Sequence, residues 1–285
     1  MKKVVKFGGS SLANAQQFMK VGDIIRKDDA RRYVVPSAPG KRYAEDVKVT
    51  DMLYQCYAKA EAGEAFDELL NRIKSRYEEI IGGLGLELSL DGEFAKIREM
   101  FENKAGTDYA ASRGEYLNGI VMAAYLGFEF VDAADVIFFD KNGALDEEKT
   151  NRAIGKRLKS AEYAVIPGFY GSMPDGKIKT FSRGGSDITG SLVAKAIQAD
   201  LYENWTDVPG FLIADPRIIN NPEVIESITY KELRELAYMG ATVLHEDAIF
   251  PVRKEGIPIN IRDTNDPDQA GIQLQGLPGK KGLCP

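Results

Sequence analysis

Lys3-Val4-Val5-Lys6-Phe7-Gly8-Gly9-Ser10-Ser11 decides how the chain folds. Residues 3–7 are a short apolar run that reads as a strand. Two glycines follow, and then Phe18, Val21, Ile24 and Ile25 recur at helical spacing. A strand, a glycine turn and a helix form the opening unit of an α/β protein. Outward from it, 33–38 reads as a second strand, and 36–50 as a loop carrying Pro36, Pro39 and Gly40. Residues 51–126 read as mostly helical, broken by Gly82, Gly83 and Gly85, with 116–126 apolar enough for a buried helix. Strands are expected at 135–139, 163–166, 200–204 and 257–261, with helices at 146–160 and 186–198. Thr229 and Glu232 have the spacing of a capping box that opens a helix through Leu233, Leu236 and Ala237. This alternation implies an open, mostly parallel sheet with helices on both faces.

The 285 residues suit two domains, or one large α/β domain, at about 150 residues per domain. With 44% hydrophobic residues, such a chain buries a core without disulfides or metal. Its net charge of −6 argues against nucleic acid as the main partner. Cys56 and Cys284 lie far apart and form no zinc-ligand pattern, so no metal-ligating residues are assigned. No apolar stretch resembles a signal peptide or a membrane span. The expectation is a cytoplasmic protein with reduced thiols. A serine triad would have to use His245, the single histidine, and no GxSxG motif accompanies it.

Four stretches could carry chemistry. At Lys6-Phe7-Gly8-Gly9-Ser10-Ser11, glycines let the backbone approach a ligand, and free N–H groups favour phosphate. Lys6 precedes the glycines, so this is not a Walker loop, and an ordinary strand–turn–helix reads equally well. In Thr180-Phe181-Ser182-Arg183-Gly184-Gly185-Ser186-Asp187, Arg183 can clamp a carboxylate, while Asp187 reads either as a site carboxylate or as a residue of a helix N-terminus. Asn204-Trp205-Thr206-Asp207-Val208-Pro209-Gly210 and Ala214-Asp215-Pro216-Arg217 follow a strand end, where ligands of open α/β sheets collect. Ser112-Arg113-Gly114-Glu115 lies in a helical region, and by itself Glu115 reads as facing solvent.

Taken in order, KFGGSS, SRGE, SRGGSD, WTDVPG, ADPR and GATVLH at 240–245 resemble the aspartokinases of the amino acid kinase superfamily, from residue 3 to about 274. The resemblance implies a three-layer αβα sandwich with an open, mostly parallel sheet over 1–274. Its N-terminal lobe would carry substrate and its C-terminal lobe nucleotide. It implies transfer of phosphate from ATP to L-aspartate, giving 4-phospho-L-aspartate, the first step toward lysine, threonine and methionine. ATP and Mg²⁺ are the implied cofactors, and L-aspartate and ATP the partners. Nucleic acid and membrane are excluded and a homodimer is allowed. Lys6 would be the catalytic lysine and Asp187 the carboxylate that orients it. Thr50, Glu115, Arg183 and Ser186 would hold the substrate, Glu115 on its α-ammonium and Arg183 on its α-carboxylate. Gly8, Gly9, Ser10, Thr206, Asp207, Asp215, Arg217 and Lys254 would hold the nucleotide. Since the acceptor is already ionised at neutral pH, no general base is required.

Ser10 stands where these enzymes usually have Thr, Pro209 where an acidic residue is common, and Glu246 where Pro usually follows the histidine. The loop 39–49 is longer than usual. Typical members continue into two ACT domains. Here none is expected, and 275–285 reads as a disordered tail. Read one nucleotide earlier, suitable codons for Leu274–Lys281 encode a string resembling the start of that regulatory region, so a frame change is part of the expectation. The rival readings are another kinase of the superfamily and a catalytically silent nucleotide-binding subunit.

Overall fold

The computed structural model describes residues 1–182, 184–207, a few positions between 225 and 235, and 246–275. Strands β1 (Lys3–Phe7), β2 (Arg31–Pro36), β3 (Glu129–Phe130), β4 (Ala164–Val165), β7 (Leu201–Thr206), β8 (Ser227–Thr229), β9 (Ile259–Asp263) and β10 (Ile272–Gln275) form one sheet. Its order is β3-β4-β2-β1-β7-β9-β10-β8. All neighbours pair in parallel except β9 and β10. A two-stranded antiparallel hairpin, β5 (Tyr170–Ser172) and β6 (Ile178–Thr180), stands apart.

The central strands read as continuous apolar runs because both their faces are covered. Val4, Tyr33, Val35 and Ala164 point into one core, beneath α6 (Glu147–Leu158), α7 (Gly185–Ala196) and α8 (Glu246–Lys254). Val5, Phe7, Val34 and Val165 point into the other, beneath α1 (Ala15–Arg26), α2 (Val49–Glu61), α3 (Asp67–Gly83), α4 (Asp91–Glu102) and α5 (Thr107–Leu126). Phe18, Val21, Ile24 and Ile25 of α1 are buried as their spacing requires, and Asn14 caps the helix by accepting from the Gln17 N–H at 3.0 Å. The helical tract 51–126 resolves into α2–α5, and α3 ends at Gly83.

Three expectations change. Residues 135–139 are not a strand: a 3-10 turn covers Ala133–Asp135, and Phe138 and Phe139 make only isolated bridges. Their apolar side chains mark the core, with Ile137 and Phe139 buried. The β5–β6 hairpin is an addition, since no strand is expected between 166 and 200. Gln275 belongs to β10 rather than to a tail, and 276–285 lie outside the described residues. The capping box is present: the Thr229 N–H donates to Glu232 Oε2 at 2.8 Å, and the Glu232 N–H donates to Thr229 Oγ1 at 3.2 Å.

One buried carboxylate ties β1, β2 and β7 together. Glu203, fully buried, accepts from Arg31 Nε at 2.8 Å, Lys3 Nζ at 3.2 Å and Trp205 Nε1 at 2.9 Å. Removing it leaves the Arg31 guanidinium buried without its counter-charge. Glu203→Ala is therefore expected to cost about 3–5 kcal/mol of folding stability. Urea unfolding reads this, and a loss under 1 kcal/mol would contradict the role.

Candidate active site

In an open parallel sheet the strands end on one edge, where chain reversals leave backbone groups for a ligand. β1 ends at Gly8-Gly9-Ser10, β2 at Ser37–Gly40 and β7 at Thr206-Asp207. Gly9, Ser10, Ser37–Gly40, Thr50, Glu115 and Asp207 line one cleft of about 530 Å³, together with Lys41 and Lys48 of the long loop.

The turns after β1 and β2 touch through their backbones. The Gly40 N–H donates to the Gly9 carbonyl at 2.8 Å. A Cβ at Gly40 would stand 2.6 Å from Ser10 N, and one at Gly9 would stand 2.7 Å from the Ala38 carbonyl oxygen. Both glycines are thus needed for close approach, and Gly40 was not among the expected site residues. Arg76 holds this wall by donating to the carbonyls of Gly40 and Val47 and pairing with Asp46 at 3.2 Å. Arg42 binds Asp46 from the other side at 2.9 Å. Hydrogen bonds from Arg42 and the charge of Arg76 outweigh burial and hold the Asp46 acid well below the ordinary carboxylate range.

Lys6 and Asp187 form an ion pair at 2.7 Å, both nearly buried. Strand alternation turns Lys6 toward α7, whose first turn carries Asp187. Asn204, opposite Lys6 on β7, joins them: its amide donates to Asp187 Oδ1 at 2.8 Å, and its oxygen lies 3.4 Å from Lys6 Nζ. Asp187 as an inert capping residue is thereby set aside.

Glu115 is buried, which corrects its isolated reading as a solvent-facing residue. The glycine before it explains why: a Cβ at Gly114 would meet Ala38 Cβ at 2.8 Å, so α5 lies against the end of β2. Burial pushes the Glu115 acid up to about 8, against the opposing hydrogen bond from the Ala38 backbone and the charge of Arg113. Its Oε2 is buried with no hydrogen-bond partner. Thr50 lies in the first turn of α2, on the same cleft.

Ser186 is buried beside Gly168, which has no room for a side chain there, and Ser186 is not among the cleft-lining residues. The next residue, Phe169, has φ +83°, and its N–H donates to Thr189 Oγ1 at 3.1 Å. Its carbonyl accepts from Phe181 at 2.9 Å, closing the two arms of the hairpin, while the Thr189 bond ties them to α7. Thr206 and Asp207 stand at the end of β7, and the Thr206 carbonyl accepts from the N–H and the hydroxyl of Thr264. Lys254 is displaced from the site. It closes α8, and the chain then enters β9 beside the start of β7, at the edge opposite the cleft. The loop after β9 reaches the cleft edge instead, with Asn265 donating to the Asp207 carbonyl at 3.3 Å. Arg183, Asp215, Arg217 and His245 lie outside the described residues. Two signals could have found the missed positions: Pro39-Gly40 and Asn265 each follow a strand, and Asn204 is an amide on an apolar strand face.

Among the described residues no cluster of His, Cys, Asp or Glu could hold a metal ion, and no helix is long and apolar enough to cross a membrane. A glycine turn and a lysine–carboxylate pair at the edge of such a sheet can hold a phosphate group and offset its charge. The amino acid kinase family model matches residues 1–263, and the chain belongs to that family. Aspartokinase 3 of Bacillus subtilis (strain 168) is 41% identical over 95% of this chain and 63% of its own length. The crystal structure of Clostridium acetobutylicum aspartate kinase superposes with a TM-score of 0.93 at 54% identity, over 99% of this chain and 64% of that one. E. coli aspartokinase III, solved with aspartate and ADP, gives 0.79 at 28% identity, over 96% and 64%. The chain thus spans just under two thirds of these relatives. Uridylate kinase from Archaeoglobus fulgidus, 15% identical with a TM-score of 0.55, shares the fold.

The packing at Gly40 is directly testable. Gly40→Ala forces a methyl into the Gly9–Ser10 backbone and is expected to lower stability by about 1–3 kcal/mol. Gly82→Ala, in open space on helix α3, is expected to raise it by roughly 0.5–1 kcal/mol. Thermal melts of both variants compare the two.

Proposed function

We propose that this chain transfers the γ-phosphoryl group of ATP to the side-chain carboxylate of L-aspartate, the first step toward lysine, threonine and methionine. The observation that carries the substrate is Glu115. A buried carboxylate oxygen without a partner, on the cleft that holds the Gly9–Ser10 turn, suits an α-ammonium group. Uridylate, and amino acids with a blocked amine, offer no such cation. The names of the relatives, and the aspartate and ADP held by the E. coli enzyme, agree with this reading.

A carboxylate oxygen of aspartate attacks the γ-phosphorus, the bond to the bridging oxygen breaks, and ADP leaves with the electron pair. The acceptor is already an anion, so no proton is abstracted. Mg²⁺, if it accompanies ATP, would offset charge on the phosphates, and no cluster among the described residues is assigned to hold it. Lys6 neutralises charge on the transferring group, and Asp187 orients it. The N–H groups of Gly9 and Ser10 on the cleft are assigned to the phosphates, while the Gly8 N–H donates to the Trp205 carbonyl at 3.1 Å and shapes the turn. Thr50, Glu115, Ser186 and Arg183 are assigned to the amino acid. Thr206, Asp207, Asp215 and Arg217 are assigned to the nucleotide. Thr50 and Glu115 thus bring the N-terminal half to the amino acid and Thr206, Asp207, Asp215 and Arg217 bring the C-terminal half to the nucleotide, with Arg183 and Ser186 crossing to the amino acid and the glycine turn crossing to the phosphates. A cytoplasmic location and a homodimer remain part of the reading, and the buried thiol of Cys56 suits a reducing compartment.

A coupled assay of ADP release over a panel of amino acids tests the substrate. Release with aspartate alone is expected, and release with glutamate or uridylate instead would overturn the reading. Lys6→Ala is expected to lower kcat by roughly 10²–10³ in a folded protein. The pH dependence tests Glu115. Its acid is raised above the ordinary value, so the free protein holds it neutral below about 8, whereas an ammonium ligand requires the ionised form. The KM for aspartate should therefore fall as pH rises from 6 toward 8, by up to about tenfold per unit. Glu115→Gln should raise that KM and flatten its slope, and a slope that survives the substitution would remove Glu115 from the ammonium site.

A further inference from the structure

Position 204 breaks the pattern of its strand. The other inward residues of β7 on the α7 side are expected to be apolar or aromatic, as Tyr202 is. Asn204 is 3% exposed, and a buried amide is costly unless its polar atoms are satisfied. Neither polar atom turns to the backbone: Nδ2 donates to Asp187 Oδ1 and Oδ1 faces Lys6 Nζ. The chemistry fixes the orientation of the amide, because only its nitrogen can donate to a carboxylate and only its oxygen can accept from an ammonium group. Tyr202, two residues earlier on the same face, donates its hydroxyl to the Asp187 carbonyl at 3.2 Å. Gly190 makes room for that ring, since a Cβ there would stand 2.5 Å from the Tyr202 hydroxyl. Two successive same-face residues of β7 therefore hold the Asp187 position, one by its backbone and one by its side chain.

We propose that Asn204 is a positioning residue that sets the rotamer of Asp187 and thereby aims Lys6 at the transferring phosphoryl group. The inference rests on the phosphoryl-transfer reading above. An ion pair alone leaves both side chains free to rotate about the axis that joins them. An amide hydrogen-bonded to both members removes that freedom. This matters for catalysis because a charge stabilises a transition state only where it is held in place beforehand. Asn204 has no place on the cleft wall, so its loss should change turnover without changing how tightly either substrate binds.

The test is a double-mutant cycle. Asn204→Ala and the space-filling Asn204→Leu, each confirmed as folded by circular dichroism, are assayed for aspartate-dependent ADP release in the wild-type and Lys6→Ala backgrounds. In the wild-type background kcat is expected to fall roughly 10- to 100-fold, the equivalent of one hydrogen bond to a charged group, with both KM values within about twofold. In the Lys6→Ala background the same substitutions should lower kcat by less than about twofold, because the group they position is gone. A folded variant with near wild-type kcat overturns the proposal, and so does an equal fall in both backgrounds or an effect confined to KM. If both substitutions unfold the chain, Asn204 is a fold determinant and the proposal fails. Absence of aspartate-dependent ADP release from the wild-type chain is a separate outcome. It overturns the substrate reading itself, and with it this role.

Discussion

The buried Glu203 carboxylate is the constraint on which the rest of the molecule depends. A charge in the interior is tolerable only when its counter-charges and donors are held around it. Here they come from three strands, with Lys3 on β1, Arg31 on β2 and Trp205 on β7 itself. A slip of β7 against β1 by one residue would turn Glu203 to the opposite face, away from all of them. The register so enforced sets Lys6 beside Asn204 and sends both toward α7. The two faces of the sheet thus divide the work. One face carries a structural ion cluster and the Trp205 ring, stacked on Phe7 and covered by Arg262; the other carries the lysine, the amide and the aspartate of the site.

The same alternation explains what could be read in the chain beforehand. Strands covered on both faces appear as unbroken apolar runs, so β1 and β2 were legible. The α1 stripe and the Thr229–Glu232 cap follow local rules and were legible too. The run 135–139 misled because apolar residues signal burial, and burial alone does not pair a backbone with a neighbouring strand. Glu115 misled in the opposite sense. Seen singly, a glutamate on a helix belongs in water, and only the contact of Gly114 with Ala38 turns it inward. That contact joins residues far apart in the chain, so local reading could not supply it. Motif order brought Glu115 back where propensity had set it aside. Lys254 lies outside those ordered motifs, and the helix that carries it ends at the opposite edge of the sheet.

The cleft is built where two kinds of support meet. The Gly8–Ser10 turn and the Lys6 pair belong to the sheet and to α7. Glu115 and Thr50 belong to the helical layer, and the loop between β2 and α2 is fastened to α3 through Arg76 and Asp46. The Gly9–Gly40 contact is the seam between them. The proposed transfer needs a phosphate donor and an amino acid acceptor within bonding distance, and a seam between the sheet and the helical layer suits that need.

Phe169 shows where this chain tolerates strain. A non-glycine residue at φ +83° costs on the order of 1–3 kcal/mol and persists only where its surroundings over-determine it. Here Thr189 and Phe181 bind its backbone, and its ring and Cα lie within 3 Å of where a side chain at Gly185 would begin. A glycine at 169 would relieve the backbone but remove the ring that packs over the start of α7. Backbone comfort and packing at the start of α7 therefore pull this one position in opposite directions. Stability gained by relaxing this backbone would thus be offset by packing lost at the start of the helix that carries Asp187.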